Sequence, residues 1–330
     1  IARRQRQMCI RDRFHGWPWY AIWLVLLGFG GGMIVPAIYA MAGAVWPNGG
    51  RQTFNAIYLA QNIGVALGAA LGGFVAEFSF NFIFLANLVM YVLFALVAIT
   101  QFNLEIHAKV KHQDAVDLKS KENRKRFTAM MLVCAMFAIC WIAYIQWETT
   151  IASFTQSINI SMSQYSVLWT INGIMILVAQ PLIRPIIVIL RGNLKHQMFV
   201  GILIFMCSFL VTSFAHHFAI FVVGMVILTF GEMFVWPAVP TIANKLAPEG
   251  KQGQYQGFVN SASTVGKAFG PFIGGVLVDA MNMSMMFVGM IVLLCFGLIF
   301  LSIFDRGLPK DKNETPIPRR RKRRKSKASK

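Results

Sequence analysis

Long uncharged apolar runs are the feature of this sequence that most restricts its fold. Nine runs are present, each close to or above the roughly 20 residues that cross the hydrocarbon core of a bilayer. They occupy residues 19–45, 54–76, 80–101, 128–147, 164–190, 196–215, 218–243, 257–279 and 283–304. Backbone groups in lipid need hydrogen-bond partners within their own segment, so each run is predicted to be a helix. The sequence therefore predicts an all-α membrane protein with nine spans.

Composition excludes a soluble enzyme. Charged residues make up 13% of the chain, about half the share in a soluble domain. The cysteines have no CxxC spacing and no nearby His pair, so we predict neither a metal site nor a cofactor. No cluster of acidic or histidine residues marks a membrane-embedded enzyme, so we predict no catalytic residues. The cysteines are Cys9, Cys134, Cys140, Cys207 and Cys295.

The positive charge, +18 overall, is explained by membrane topology and not by nucleic acid. Lys and Arg in short loops stay cytoplasmic. The gaps after the first, third, fifth and seventh runs, with the tail after Phe304, hold 24 Lys and Arg, whereas the intervening gaps hold none. This bias predicts a cytoplasmic C-terminus. The basic tail is predicted to be disordered and attracted to anionic lipid.

The N-terminal segment 1–15 departs from this charge rule, since its arginines would lie outside. It begins with Ile1, and its stretch RQRQMCIRDR resembles translated sequencing-adapter sequence. We therefore interpret segment 1–15 as foreign and leave it out of the fold prediction. A genuine basic arm is the alternative.

The chain also matches itself at an offset of 201 to 202 residues, which indicates an internal repeat. Runs one to three repeat runs seven to nine, so runs four to six have no partner. The aligned residues are Phe29, Gly30, Pro36, Pro47, Gly49, Gly64, Gly68, Gly72, Gly73 and Glu77 with Phe230, Gly231, Pro237, Pro248, Gly250, Gly266, Gly270, Gly274, Gly275 and Asp279.

The repeat predicts two parallel six-helix halves, with the first three helices missing from this sequence. The predicted organisation is a remnant of the N-terminal half at 16–101, a cytoplasmic central loop at 102–127, a C-terminal half at 128–304 and a basic cytoplasmic tail at 305–330.

Two glycine-rich elements occupy equivalent positions in the repeat. Glycines four residues apart let helices approach closely, and a proline permits a bend. The elements are NIGVALGAALGGFV, with Gly64, Gly68, Gly72 and Gly73, and GKAFGPFIGGVL, with Gly266, Gly270, Pro271, Gly274 and Gly275. Both resemble the gxxxGPxxGGxl element of drug:proton antiporters. Over residues 17–304 the chain therefore resembles the multidrug efflux branch of the major facilitator superfamily, whose plan is a duplicated six-helix unit.

This resemblance implies a monomeric secondary transporter in a bacterial plasma membrane. It would export amphipathic small molecules or drugs in exchange for protons, by alternating access and without a cofactor. Its partners would be the substrate, protons and the bilayer. The alternatives are uptake of a sugar or metabolite by the same fold, or a fragment that does not transport. In the fourth-helix motif of the family an Arg precedes a Gly by four residues, and Leu24 stands there.

Polar residues within the spans are the candidate site residues. An ion at mid-bilayer costs roughly 2.5 to 3.5 kcal/mol on insertion scales, and Glu232 and Lys267 lie at matching depth. They form either a structural ion pair or a substrate or proton site. Helical spacing places Asn260, Thr264 and Lys267 on one face, predicted to line a cavity, with interhelical hydrogen bonding as the alternative. Further candidates are Tyr58, Asn62 and Gln146, and weaker ones are Gln61, Asn172 and Gln180.

Overall fold

The structure is a computed structural model that describes residues 17–78, 80–101, 121–190 and 192–308. Segment 1–15, most of the central loop and nearly all of the basic tail lie outside the described residues. Within these ranges the chain forms twelve α-helices, which confirms the all-α prediction. They are α1 (Trp17–Val45), α2 (Arg51–Phe78), α3 (Phe80–Gln101), α4 (Lys121–Tyr144), α5 (Thr150–Ser157), α6 (Met162–Val178), α7 (Gln180–Ile189), α8 (Leu194–Thr212), α9 (Phe218–Val235), α10 (Ala238–Leu246), α11 (Gln252–Ala280) and α12 (Met283–Ile303).

Helices occur at all nine predicted runs, but they are not equally suited to cross a membrane. Six helical segments in the described ranges are long and apolar enough, and a seventh is the pair α6 and α7, bent by 59° at its break. The glycine-rich helices α2 and α11 are also long, with 28 and 29 residues, and both carry polar residues within their apolar runs. Their polar residues face a cavity described below.

Helix ends follow local sequence signals. Ser161 begins α6 with a capping box, because its side chain accepts from the backbone N–H of Gln164 while the Gln164 side chain accepts from the N–H of Ser161. Asn193 caps α8 by accepting from the backbone of Lys195. The preceding Gly192 has a φ of 69°, a left-handed conformation that glycine adopts without steric cost. These signals place the turns in the predicted gaps between runs.

The buried core lies mainly among the helices from α4 onward. Helices α8 and α9 approach closely, since a β-carbon added at Gly231 would lie 2.8 Å from the carbonyl oxygen of Gly201. Few side chains of α1 are buried, and none is buried in the part of α3 from Phe84 to Gln101. Apolar exposure of this kind is suited to contact with lipid, because lipid tails are as apolar as the side chains.

The second glycine element packs tightly against the end of α4. A β-carbon on Gly266 would lie 2.6 Å from the carbonyl oxygen of Ala138 and would also overlap the Trp141 side chain. A β-carbon on Gly270 or Gly274 would likewise overlap the segment just beyond α4. The missing β-carbons therefore set the distance between α11 and α4.

The first glycine element has a different environment. Nothing lies within 4 Å of a β-carbon placed on Gly64 or Gly68. Gly72 and Gly73 belong to α2, but their surroundings lie outside the described part of the chain. The two elements thus share a helical conformation. Among the glycines whose surroundings are described, three of the second element pack against a neighbour, whereas Gly64 and Gly68 do not, and the repeated six-helix arrangement stays a prediction.

Side chains in the N-terminal part of α2 form hydrogen bonds at two helix junctions, between α9 and α10 and between α6 and α7. Pro237 has no N–H, so the carbonyl of Met233 loses its partner where α9 gives way to α10. The guanidinium of Arg51 donates to that oxygen at 2.8 Å. One turn along α2, Asn55 donates at 3.1 Å to the side chain of Gln180, at the bend between α6 and α7. These contacts place the next turn of α2 beside Glu232.

Candidate functional site

A cavity of about 960 Å³ lies between α1, α2, α4, α6, α9 and α11. Its wall combines aromatic rings, amides and three ionisable carboxyl or amine groups. The lining residues include Tyr39, Tyr58, Gln61, Asn62, Phe137, Trp141, Tyr144, Glu148, Tyr165, Trp169, Asn172, Glu232, Trp236, Gln256, Asn260, Ser263 and Lys267. A volume of this order accommodates a drug-sized molecule.

The carboxylate of Glu232 is the most buried charged group in this wall, with 3% of its surface exposed. Tyr58 donates a hydrogen bond to Oε1 at 2.9 Å. Asn172 donates to Oε2 at 2.9 Å, and Tyr144 donates to the same oxygen at 3.3 Å. These three donors come from α2, α6 and α4 and carry no charge. They hold the carboxylate in place without neutralising it.

Asn172 has a second contact that sets its orientation. Its Nδ2 also donates to Oγ1 of Thr229 at 2.9 Å, and Thr229 lies on α9 one turn before Glu232. The hydroxyl of Thr229 donates in turn to the backbone oxygen of Met225 at 2.8 Å. The acceptor role of Thr229 therefore directs the amide NH₂ of Asn172 toward Glu232.

Aromatic rings form a continuous wall next to this carboxylate. The ring centres of Trp141 and Trp236 are 4.9 Å apart, and those of Tyr144 and Trp236 are 5.2 Å apart. Trp169 extends the wall, with 6.1 Å between its ring centre and that of Tyr144. The planes of these ring pairs are tilted by 36°, 52° and 70°, so the wall is apolar but uneven. Aromatic rings attract organic cations through their π faces.

Lys267 lines the same cavity and contacts this aromatic wall. Its Nζ is 4.1 Å from the ring centre of Trp141, a cation–π contact. No ion pair joins it to Glu232, and the ion pairs observed in the described ranges involve other residues. Of the two hypotheses from the sequence, the structural pair between Glu232 and Lys267 is therefore not formed in this structure.

Most of the polar residues singled out from the sequence line the cavity. Asn260 and Lys267 of α11 line it, and so do three candidates of α2. Thr264 is outside the lining and donates to the backbone oxygen of Asn260 at 2.9 Å. The three α2 candidates are Tyr58, Gln61 and Asn62.

Gln146 was predicted to have a transport role, but its position in the structure does not agree with that prediction. Its side chain is fully buried and does not line the cavity. Its Nε2 donates to the backbone oxygen of Gly270 at 2.7 Å, and Thr150 donates to its Oε1 at 2.7 Å. Gln146 thus joins the end of α4 to α11, because the glycine at 274 leaves room for its amide.

Sequence reasoning gave little weight to Asn172, and it singled out neither Tyr144 nor the tryptophans of the aromatic wall. The rings come from separate helices, and each occupies one position in an apolar run, so no periodic pattern marks them. The available signal was polar or amphipathic character within a span, which Tyr144, Trp169 and Trp236 share with many lipid-facing aromatic residues.

Comparison with known proteins agrees with this architecture. The family model described as Major Facilitator Superfamily matches residues 8–156 and 142–329. The chain belongs to the Major Facilitator Superfamily. It is therefore a multi-pass membrane protein with a transporter function, in a family whose members bind small-molecule substrates.

Individual relatives of this facilitator-family protein include two from Bacillus subtilis. The uncharacterized MFS-type transporter YttB is 48% identical over 295 residues, which cover 89% of this chain and 74% of the relative. The uncharacterized MFS-type transporter YqjV is 25% identical over 240 residues, which cover 68% of this chain and 56% of the relative. The uncharacterized MFS-type transporter MJ1560 of Methanocaldococcus jannaschii is 29% identical over 113 residues, which cover 32% of this chain and 29% of the relative.

Proposed function

We propose that this protein is a proton-coupled exporter of amphipathic cations that works by alternating access. The observation that carries the proposal is the carboxylate of Glu232, which lines an aromatic cavity and receives hydrogen bonds from three neutral donors. A buried charge without a counter-ion is costly. Glu232 therefore requires either a bound proton or a bound cation.

These two occupants exclude each other, which is the basis of coupling. A carboxyl group that carries a proton has no charge with which to attract a cation, and a carboxylate paired with a cation has little affinity for a proton. Release of the cation on one side of the membrane and protonation on that same side would then exchange the two. The aromatic wall supplies apolar contact for the rest of the substrate.

The contacts of α2 support a link between this site and the conformation of the protein. Tyr58 donates to Glu232 from the same helix that binds the broken segments through Arg51 and Asn55. A change in the charge of Glu232 alters the Tyr58 hydrogen bond, and so the binding of α2 to α9. Rocking of packed helices against one another is a common mode of alternating access in such transporters.

Efflux by the full-length protein is testable in cells. We expect cells that express it to accumulate less of a fluorescent monovalent cation, such as ethidium, than cells with an empty vector. Addition of an uncoupler should restore accumulation, because the proton gradient drives export. Dye levels that do not respond to the protein would contradict the cation-efflux proposal. A response that persists with the uncoupler would contradict proton coupling.

We also propose the topology that the charge bias predicts, with the C-terminus in the cytoplasm of the cell. A membrane-impermeant maleimide added to intact cells should label Ser161→Cys, in the gap before α6 that has no Lys or Arg. It should not label Ser120→Cys, in the basic central loop, until the cells are permeabilised. A version without native cysteines is the background control, and the reverse labelling pattern would invert the topology.

The duplicated plan belongs to the same proposal. Gly266 and Gly270 have a helix packed against them, whereas their repeat partners Gly64 and Gly68 have none. We infer that in the full-length protein a further helix packs on Gly64 and Gly68, as α4 packs on α11. The glycine substitutions described in the Discussion test this inference.

A further inference from the structure

Lys267 is the one basic residue among the described residues that line the cavity. The ammonium lies over the ring of Trp141, 4.1 Å from its centre. Among the described residues, no carboxylate lies within 4.0 Å of it. A basic group within a membrane span is costly and commonly marks a functional site with an anionic partner. An anionic ligand that enters the cavity is therefore a candidate partner for Lys267.

Among the described residues, Glu148 is the acidic residue that comes closest to serving as that partner. It lines the same cavity and acts on Lys267 electrostatically. It lies in the turn that follows α4, where its backbone N–H donates to Ile145 at 3.0 Å, and it makes no ion pair with Lys267. The position next to Lys267 thus remains open to another anion.

The acidic and basic groups lie at opposite ends of one aromatic pair. Tyr144 contacts Glu232 through its hydroxyl at 3.3 Å, and its ring centre is 5.3 Å from that of Trp141. Trp141 in turn carries the ammonium of Lys267 on its face. The two rings meet edge to face, at 74° to each other, and together they link Glu232 to Lys267 through aromatic contacts along one wall of the cavity.

We propose that the cavity selects zwitterionic aromatic substrates, with the cationic group at Glu232 and a carboxylate at Lys267. This inference rests on the proposed function, because it takes Glu232 as the site of the cation. Lys267 is then the residue that determines specificity for the anionic end. A hydrogen bond from an ammonium to a carboxylate is stronger than one between neutral groups. A substrate that lacks the carboxylate loses this bond but keeps its contacts with Glu232 and the rings.

Two rhodamines form a matched pair of probes. Rhodamine 110 carries a cationic ring system and a free carboxylate, and rhodamine 123 is its methyl ester, which keeps the cation alone. Binding to the purified full-length protein is measured for each by fluorescence polarisation. We expect Lys267→Gln to raise the Kd of rhodamine 110 by about tenfold or more. The Kd of rhodamine 123 should change by less than about twofold, which also shows that the variant is folded.

A charge-retaining variant and an acid variant complete the design. Lys267→Arg should keep most of the affinity for rhodamine 110, because the positive charge remains. Glu232→Gln should weaken both rhodamines, since both use the cation site. An equal effect of Lys267→Gln on both probes, or no effect on either, would overturn the zwitterion inference and leave the proposed function intact. Failure of the unmodified protein to bind either probe would overturn both.

Discussion

Glu232→Gln in the full-length protein is expected to abolish export of a monovalent cation against its gradient. The substitution keeps the size of the side chain but removes the charge and the titrating group. Loss of one member of a buried charge interaction costs about 2 to 5 kcal/mol. We therefore expect the initial rate of efflux to fall by at least about thirtyfold. The rate is measured in everted vesicles with a fluorescent cation and an imposed pH gradient.

Glu148→Gln is the matched control for this experiment. Glu148 lines the same cavity, so both variants remove one negative charge from its wall. It does not receive the Tyr58 and Asn172 hydrogen bonds that hold Glu232. We expect its efflux rate to change by less than about threefold, because an exposed charge contributes little. If the Glu232 variant is folded and still exports cations with unchanged pH dependence, the carboxylate is not the coupling site.

Gly266→Val is expected to cause the largest loss of stability among the glycine substitutions. The new side chain would meet the backbone of Ala138 and the first atoms of the Trp141 side chain. Neither group is able to swing aside, so α4 and α11 would have to separate. Overpacking of this kind costs roughly 1 to 3 kcal/mol. We expect the melting temperature in detergent to fall by roughly 5 °C or more.

Two other glycines make the comparison specific. Gly275→Val introduces the same side chain into the same helix at a site with nothing within 4 Å, so its melting temperature should stay within about 2 °C of the unmodified protein. Gly64→Val occupies the repeat position of Gly266. In the full-length protein it should destabilise as much as Gly266→Val if a further helix packs there. A silent Gly64→Val would contradict the duplicated arrangement, and equal losses at Gly266 and Gly275 would contradict the packing of α11.

Helix α11 has two roles, because one of its faces packs against α4 and another lines the cavity. The face of α11 that carries Gly266 and Gly270 contacts α4, while Lys267 of the same helix lines the cavity. A shift of α11 against α4 would therefore also move Lys267 relative to Trp141. Packing and substrate recognition are coupled at this contact because the two helices share it.

Much of the secondary structure was accessible from the sequence, for a simple physical reason. A run such as 283–304 has one stable backbone conformation in lipid, and the structure has α12 over Met283–Ile303. The break between α9 and α10 follows from Pro237, which lacks the N–H that continues a helix, but it was not predicted, because the run 218–243 covers both helices. The bend between α6 and α7 was not predicted, because a single apolar run spans both helices.

The candidate site was likewise predictable from the sequence only in part. The sequence by itself determined that Glu232 and Lys267 are costly groups within apolar helices, because hydropathy and charge are properties of single residues. Only the tertiary structure decided their partners, since Tyr58, Tyr144 and Asn172 come from three different helices and no spacing along the chain relates them to Glu232. Close packing of α11 against α4 likewise assigned Gln146 to a helix contact and Trp141 to the cavity, although the two residues are only five positions apart.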